Sequence, residues 1–417
     1  MSSKISFRFI DLFAGIGGFH CAMSKLGGKC VFVSEINTLC QKTYAHNFPS
    51  CEKSIFGDIK KINPVDIPSF EMLCAGFPCQ SFSKAGKRKG FDDETRGDLF
   101  SYTLKILKKH KECKYVLLEN VKNLADNETF WKVIVEGFSS LNYFITKSPI
   151  VLSPSEFGIP QNRDRVFILG IRKDIANQSI KNNQEITIRD LCLDEYKKKI
   201  KLGDAFKILD EDFDQELIVS KEENDVLLAW DDFKQNIFHK KIDAPIWMEY
   251  FGEDYKADSA FLKKVGYKSM PDWKQRFVSR NRKFYLENKN AIDAWIKKWS
   301  MEKKNKIYRK FEWNCKNDCR SIKEGIIQIR HSGVRVKRTD FYPALVAVNN
   351  TPIVWSEKYQ VFRRLSVKET ARLQSFPDNY VFLGSKGEQY KQLGNSVNVA
   401  VVRYVAKGLI GLERREK

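Results

Sequence analysis

Short apolar runs alternate with amphipathic runs between residues 7 and 170 of the chain. Five of the apolar runs are predicted strands, at residues 7–12, 30–35, 72–75, 115–119 and 165–171. Helices are predicted between them at residues 20–26, 39–46 and 99–108. Because short buried strands that alternate with helices form a sheet covered on both faces, the pattern predicts an α/β fold with a doubly wound, mainly parallel sheet.

The alternation ends at about residue 180, and the chain is then polar and rich in lysine up to about residue 345. Residues 263–310 contain sixteen Lys or Arg and four Asp or Glu. Apolar residues recur there at helical spacing, which predicts amphipathic helices whose buried face contains Phe277, Phe284, Tyr285, Ile292, Trp295 and Trp299. The basic residues are left for the outer face, where they can meet phosphate groups.

Regular patterns return at about residue 363. Ser366, followed three residues later by Glu369, predicts a helix that begins with a capping box. An apolar segment at 397–409 predicts a last helix that packs back on the first domain. The expected organisation is a first domain of residues 1–182, a second of residues 183–388, and a C-terminal segment, 389–417, that returns to the first.

The net charge and the lack of long apolar runs restrict the classes of protein to which the chain can belong. The chain has 72 Lys plus Arg against 52 Asp plus Glu, a formal charge of +20. This favours a polyanionic partner through counterion release, although a generally basic proteome would also produce it. No run approaches the roughly 20 apolar residues of a membrane span. The first residues lack the layout of a signal peptide, so we expect an intracellular protein.

The ten cysteines are scattered along the chain, and several lie in apolar runs where a reduced cysteine is a small hydrophobic residue. Cys315 and Cys319 are close enough in sequence to suggest a metal site. No second pair of Cys or His follows them at ligand spacing, so the sequence predicts no bound metal.

A glycine-rich turn, DLFAGIGGF at residues 11–19, separates the first predicted strand from the first helix. Such a turn lets a ligand approach the backbone and meet a helix N-terminus. Glu35, at the end of the second strand, can bind ribose hydroxyls, and Asp58 in the next loop can accept a hydrogen bond from an adenine amino group. The glycine spacing differs from that of nicotinamide enzymes, so the three loops predict a pocket for another adenosine-type cofactor.

Cys79 lies in the run AGFPCQSFS at residues 75–83, just after the third predicted strand. A cysteine thiolate is soft and accessible, which suits attack on an electron-poor ring carbon. The alternative is a buried structural cysteine, but its neighbours are typical of a loop. The following residues, 84–98, are rich in glycine and charge, as in a loop that closes over nucleic acid or in a plain solvated loop.

Two further runs carry polar side chains at the ends of predicted strands. Glu119 follows the fourth strand, where its carboxyl group can hold a proton for a ring nitrogen if its pKa is raised. Arg163 and Arg165 alternate in the run QNRDR at 161–165 and can hold a carbonyl oxygen or a phosphate. A surface ion pair is the alternative function of these arginines.

Six ordered motifs span the chain, namely FIDLFAGIGG at 9–18, GFPCQSFS at 76–83, ENVKN at 119–123, QNRDR at 161–165, RLS at 364–366 with ARLQSFP at 371–377, and QLGNSV at 392–397. In this order they resemble the motifs of the bacterial C5-cytosine-specific DNA methyltransferase family. The resemblance covers about residues 7–172 and 330–410. It implies a sheet of the class I methyltransferase type with a smaller inserted target-recognition domain.

The resemblance also implies roles for the catalytic residues. Cys79 would attack C6 of a cytosine that has been flipped out of the duplex, and C5 would then take a methyl group from S-adenosylmethionine. Glu119 would bind N3 and the exocyclic amine. Arg165 would hold O2, with support from Arg163. Loss of the C5 proton and elimination of Cys79 would release 5-methylcytosine.

The family pattern implies a cofactor site with S-adenosylhomocysteine as the product and no metal. Ile36 stands where relatives often have an aromatic residue against adenine, so here only an aliphatic contact is available. The implied site contains Phe13, Gly15, Ile16, Gly17, Glu35, Ile36, Asp58, Ile59, Pro78, Leu99, Asn395 and Ser396.

The expected partner is double-stranded DNA, bound by a monomer in the bacterial cytoplasm, with no membrane contact and a restriction-modification role. The region 185–345 would recognise the target sequence, and residues 333–338 would be its exit strand. Two alternatives stay open. One is a tRNA cytosine methyltransferase on the same fold, and the other is a catalytically inactive DNA-binding regulator.

Overall fold

The computed structural model describes residues 6–77, 99–237, 245–252, 266–345 and 351–413. The chain forms two compact units. Unit 1 contains residues 1–201, 343–349 and 367–417, and unit 2 contains residues 202–342 and 350–366. These limits differ from the predicted boundaries at 182/183 and 388/389, because Leu191 and Leu193 are buried in the core of unit 1, as are Ala371 and Phe376.

Unit 1 is built on an eight-stranded sheet. Its strands are β1 (Phe7–Leu12), β2 (Gly28–Ser34), β3 (Ile55–Phe56), β4 (Met72–Ala75), β5 (Tyr115–Val121), β6 (Tyr143–Ile145), β7 (Ile150–Leu152) and β9 (Arg165–Arg172), with the two-residue β8 (Gln161–Asn162) outside it. The order is β3-β2-β1-β4-β5-β9-β6, and β7 also pairs with β9. The pairs from β3 to β5 are parallel, whereas β9 runs antiparallel to β5, β6 and β7. The predicted α/β class and all five predicted strands are confirmed.

Helices cover both faces of this sheet, as a doubly wound fold requires. They are α1 (Gly18–Ser24), α2 (Thr38–Asn47), α3 (Leu99–Lys109), α4 (Glu128–Ser140), α5 (Gln178–Asn183), α9 (Val367–Leu373), α10 (Lys386–Asn395) and α11 (Val399–Ile410). Residues of β1 point to opposite faces, with Phe9 in a core shared with α1 and α11 and Ile10 in a core shared with α3 and α4. The predicted last helix therefore packs on the first domain, as expected.

Unit 2 has a six-stranded sheet of order β10-β11-β13-β12-β15-β16. Its elements are α6 (Lys221–Asn236), β10 (Ile246–Trp247), α7 (Asp272–Glu287), α8 (Lys289–Trp299), β11 (Lys310–Asn314), β12 (Ile326–Arg330), β13 (Gly333–Lys337), β15 (Ile353–Ser356) and β16 (Val361–Arg364). The two-residue strand β14 (Tyr342–Pro343) spans the sequence boundary between the two units, since unit 2 contains Tyr342 and unit 1 contains Pro343. The run 333–338, predicted as the exit strand, contains β13, but unit 2 continues after it with β15 and β16. Tyr285, Ile292 and Trp295 are buried and Phe277, Phe284 and Trp299 half-buried, so the predicted helical core face is confirmed. None of the described helices is both long and apolar enough to cross a membrane.

Candidate active site

The turn between β1 and α1 has an unusual backbone. Phe13, Gly15 and Gly17 have positive φ angles of 55°, 54° and 84°, a region that favours glycine. The amide of Gly15 donates to Oε2 of Glu35 at 2.7 Å, and the amide of Asn37 donates to Oε1 at 2.7 Å. The two predicted cofactor residues Gly15 and Glu35 therefore lie side by side.

Glycine is needed at position 17 for two independent reasons. A Cβ on Gly17 would lie 2.7 Å from Cε2 of Phe48 and 3.0 Å from Cε2 of Tyr44, and the φ angle of 84° is itself strained for other residues. We expect Gly17→Ala to lower the free energy of unfolding by roughly 2–4 kcal/mol, measured by denaturant titration. Gly203→Ala is the matched control, because φ there is +89° and a Cβ would meet nothing within 4 Å. An equal loss in both variants would contradict the steric part of the argument.

Residues from near the end of the chain close one side of the turn. A Cβ on Gly18 would lie 2.8 Å from Oγ of Ser396 and 2.7 Å from Cγ2 of Val397. The hydroxyl of Tyr380 donates to the carbonyl of Ile16. Ser396 is therefore next to the glycine-rich turn, as predicted, and Tyr380 is a residue of this wall that sequence reasoning missed.

The remaining predicted cofactor residues differ in exposure. Ile36 is 71% exposed, so its side chain is free to contact a ligand, and Asn395 is also exposed. Asp58 accepts a hydrogen bond from the amide of Lys60 at 3.0 Å and begins a short 3-10 helix in which Ile59 is buried. Phe13 and Leu99 are both half-buried against the apolar core that contains α3.

Glu119 and Arg165 form an ion pair at the carboxyl end of β5. Nε of Arg165 lies 3.0 Å from Oε1 of Glu119, and the two side chains are 18% and 10% exposed. A Cβ on Gly76, just after β4, would lie 4.0 Å from Oε2 of Glu119. The pair therefore lies beside the loop that leads to residue 79.

Burial shifts the pKa values of Glu119 and Arg163. Desolvation raises the pKa of Glu119 above its ordinary value, and the nearby charges of Arg165 and Arg163 only partly oppose it. Desolvation lowers the pKa of Arg163 to about 9, so this side chain is still a cation at neutral pH. The site thus combines a carboxyl group of raised pKa with two guanidinium groups.

Arg163 has a different set of contacts from the one expected of it. One of its amino groups, Nη2, donates to the carbonyls of Gly394 and Ser396 at 2.8 and 2.9 Å, and Nη1 donates to the carbonyl of Leu345 at 2.8 Å. The expected role, support of Arg165 at the base, stays a prediction. Arg163 binds the backbone on both sides of Asn395 and so holds residues 394–396 in place.

Asn120 is a positioning residue that sequence reasoning missed. Its Nδ2 donates to the carbonyl of Phe77 at 2.9 Å, and its Oδ1 accepts from the amide of Val121 at 2.8 Å. It therefore ties the loop after β4 to the strand that carries Glu119. The signal was an amide side chain directly beside Glu119 in the ENVKN run. Pro78, Cys79 and the loop 84–98 lie outside the described residues.

A known family model covers nearly the whole chain. The family model described as C-5 cytosine-specific DNA methylase matches residues 7–411 of the chain. The chain belongs to this family. This DNA methylase is 31% identical to the type II methyltransferase M.HpaII of Haemophilus parainfluenzae over 409 residues, which cover 97% of the chain and 89% of that protein. It is 28% identical to M.AluI of Cellulosimicrobium cellulans over 99% of the chain and 93% of that protein.

Solved structures resemble the methylase in fold. Dnmt2 methyltransferase of S. pombe has a TM-score of 0.57 and 17% identity, and covers 97% of this chain and 98% of its own. A putative DNA modification methyltransferase encoded within an E. coli prophage has a TM-score of 0.55 and 20% identity, with 98% and 99% covered. These matches confirm the predicted class I methyltransferase fold, and the family model confirms the predicted C5-cytosine-specific DNA methyltransferase family.

Proposed function

We propose that this methylase transfers a methyl group from S-adenosylmethionine to C5 of a flipped-out cytosine in a specific duplex DNA sequence. The thiolate of Cys79 attacks C6, and the electron pair of the C5–C6 double bond becomes available at C5. Glu119 holds a proton at N3 during this step, and Arg165 holds O2. Methyl transfer would leave S-adenosylhomocysteine; water then accepts the C5 proton, the electron pair of the C5–H bond re-forms the C5–C6 double bond, and Cys79 leaves as the thiolate.

The observation that carries this proposal is the buried pair of Glu119 and Arg165, with Nε and Oε1 3.0 Å apart. A guanidinium and a carboxyl group fixed side by side match the adjacent O2 and N3 positions of cytosine. Asn120 holds the carbonyl of Phe77 beside them. Because Cys79 follows Phe77 by two residues, this contact supports delivery of the thiol to the same base.

The glycine-rich turn fits S-adenosylmethionine. A Cβ on Gly15 would meet nothing within 4 Å, so space lies above the backbone there. Glu35 is beside this space, with its carboxylate oriented by two amides, and the exposed Ile36 can cover an adenine ring. When bound, this cofactor supplies an electrophilic methyl group. Asn395 and Ser396 are proposed to complete the pocket, together with Pro78 and Leu99.

Covalent trapping tests the proposed chemistry. Duplex DNA with 5-fluorocytosine at the target should form a stable adduct with Cys79, because fluorine at C5 cannot leave as a proton does. The adduct is detected by a mobility shift on a denaturing gel and located by peptide mass spectrometry. Labelled cofactor with duplex DNA and with tRNA, in parallel, separates DNA methylation from the tRNA alternative. Labelling of tRNA alone, or methylation of DNA without any trapped adduct, would refute the proposal.

The pH dependence of single-turnover methylation follows from the raised pKa of Glu119. A carboxyl group holds its proton below its pKa, so the proposed hydrogen bond to N3 is present at low pH and lost as pH rises through the raised value. We expect the rate to fall by up to tenfold per pH unit on that alkaline side. Glu119→Gln keeps an N–H donor at all pH values, so this variant should be slower and its rate should not fall at high pH. If its rate falls as that of the unaltered protein does, another titrating group causes the fall.

Unit 2 is the proposed target-recognition domain. Its α7 and α8 bury Tyr285 and Trp295, and Arg276, Arg280 and Lys297 on the same helices are exposed and can contact phosphate groups. We propose that the protein acts as a monomer on duplex DNA in a restriction-modification system. Bisulfite sequencing of DNA from cells that express it identifies the methylated sequence, and size-exclusion chromatography with and without DNA checks the monomer.

A further inference from the structure

Three side chains with metal-binding atoms meet in the half of unit 1 that carries the glycine-rich turn. They are His20 of α1, Cys30 of β2 and Cys51 of the 3-10 helix Pro49–Ser54. Their ligand atoms all lie within 4.8 Å of one another, and the residues are only 6%, 7% and 4% exposed. The spacing along the chain is irregular, so sequence inspection predicted no metal; the fold alone brings these atoms together.

Aromatic rings surround the cluster of metal-binding atoms. The ring of His20 stacks on Phe48 with centroids 3.6 Å apart and meets Phe9 edge-on at 5.4 Å. A buried polar atom among such rings needs a hydrogen bond or a metal bond to offset its desolvation. Here the sulfurs have only weak partners, since Cys30 donates to the carbonyl of Phe32 at 3.5 Å and Cys51 to that of Cys30 at 3.8 Å.

An oxygen atom lies at the edge of the cluster. The hydroxyl of Tyr44 is 2.8 Å from Nδ1 of His20 and 3.7 Å from Sγ of Cys30. It also lies 3.4 Å from Oδ2 of Asp11, which is fully buried and whose Oδ1 has no hydrogen-bond partner among the described residues. Tyr44 can therefore orient the imidazole, as the hydrogen-bond partners of metal-bound histidines do.

We propose that His20, Cys30 and Cys51 bind one Zn²⁺ ion. Imidazole with two thiolate sulfurs provides three of the four donors of a tetrahedral Zn²⁺ site, with Zn–S about 2.3 Å and Zn–N about 2.0 Å, and a water molecule would fill the fourth position. Two sulfurs bound in this way lie about 3.8 Å apart. The three ligand atoms already lie within 4.8 Å of one another, so side-chain rotations can bring them to these distances. Binding releases the two thiol protons, and the two thiolates balance the charge of the ion.

Cys51 is buried but is followed directly by the exposed residues Glu52 and Lys53, so this ligand lies next to the protein surface along the chain. The ion would fasten β2 and α1 to the 3-10 helix, outside the groups assigned to methyl transfer.

Metal content of the intact protein tests the proposal. Protein purified with reductant, loaded with Zn²⁺ and freed of weakly held metal by gel filtration should contain one Zn²⁺ per chain by plasma mass spectrometry. Cys30→Ser and Cys51→Ala should each reduce this content at least tenfold. Substitution of Co²⁺ should give a thiolate-to-cobalt absorption band that both variants lose. Zinc should also raise the melting temperature of the unaltered protein relative to the same protein with chelator.

Cys113→Ser is the matched control, because Cys113 is also buried in unit 1 and also donates to the carbonyl two residues later, that of Tyr115 at 3.3 Å. It should retain the zinc. A double serine variant of Cys315 and Cys319 should retain it too. The proposal is overturned if the unaltered protein takes up no zinc, or if the Cys315/Cys319 variant loses the ion instead. A Cys30–Cys51 disulfide under reducing conditions would overturn it as well.

Discussion

Cys79→Ala is expected to reduce methyl transfer to duplex DNA by about 10⁴-fold or more, because removal of a covalent nucleophile leaves only binding and orientation. Single-turnover transfer of labelled methyl groups measures this loss. The trapped adduct with 5-fluorocytosine DNA should vanish entirely. Binding of DNA and of cofactor should change little, since the lost thiol is small and makes its contribution in the covalent step.

Cys113→Ser is again a suitable control, because it removes a thiol from unit 1 without touching the proposed site. It should keep most of the activity. Methylation by Cys79→Ala at more than about one-hundredth of the normal rate would contradict the covalent mechanism. It would do so without affecting the family assignment, which rests on the match over residues 7–411.

Arg163→Met should produce the second large effect, on both folding and cofactor binding. The side chain is 2% exposed and donates to three backbone carbonyls, those of Leu345, Gly394 and Ser396. Methionine keeps most of the volume but leaves these acceptors without their donor. We expect the free energy of unfolding to fall by roughly 3–5 kcal/mol, measured by urea titration.

Cofactor affinity should weaken more than DNA affinity in this variant, because the lost contacts lie on either side of Asn395. Calorimetry with S-adenosylhomocysteine measures the cofactor affinity, and filter binding measures the DNA affinity. Arg172→Met is the matched control at the other end of β9, where the guanidinium pairs with the exposed Asp174. It should cost less than about 1 kcal/mol. Equal losses in the two variants would contradict the proposed role of Arg163.

Five strands and several helices of unit 1 could be predicted because each is specified locally, whereas β3, β6, β7, β8, α4, α5 and α10 were missed. Phe7–Leu12 and Met72–Ala75 are strands with the predicted limits, since a short apolar run between polar turns has few other ways to be buried. The antiparallel direction of β9 could not be predicted, because β-strand propensity contains no information on direction. The sheet of unit 2 was missed except for β13, since its short strands lie among charged residues and have no helix between them in a regular order.

The candidate site was predictable in its members but not in its contacts. Glu119 and Arg165, both predicted site residues, lie together because they are at the same edge of adjacent strands, although their ion pair was not predicted. Arg163, two residues away, points to carbonyls more than two hundred residues later in the chain. No local pattern distinguishes the two arginines, because their roles depend on which distant backbone is nearby. The contact between Asn120 and Phe77 was missed for the same reason.

The packing of α11 on α1 has a consequence for synthesis on the ribosome. Gly18 is translated early, yet the residues against which it packs, Ser396 and Val397, emerge only after unit 2 has been made. Lys114 and Tyr115 are also translated long before Glu413, with which both form hydrogen bonds. Unit 1 therefore cannot complete the packing around its glycine-rich turn until residues 396 and 397 have been translated. A message cut short after residue 366 would yield a unit 1 without Ser396, Val397 and Glu413.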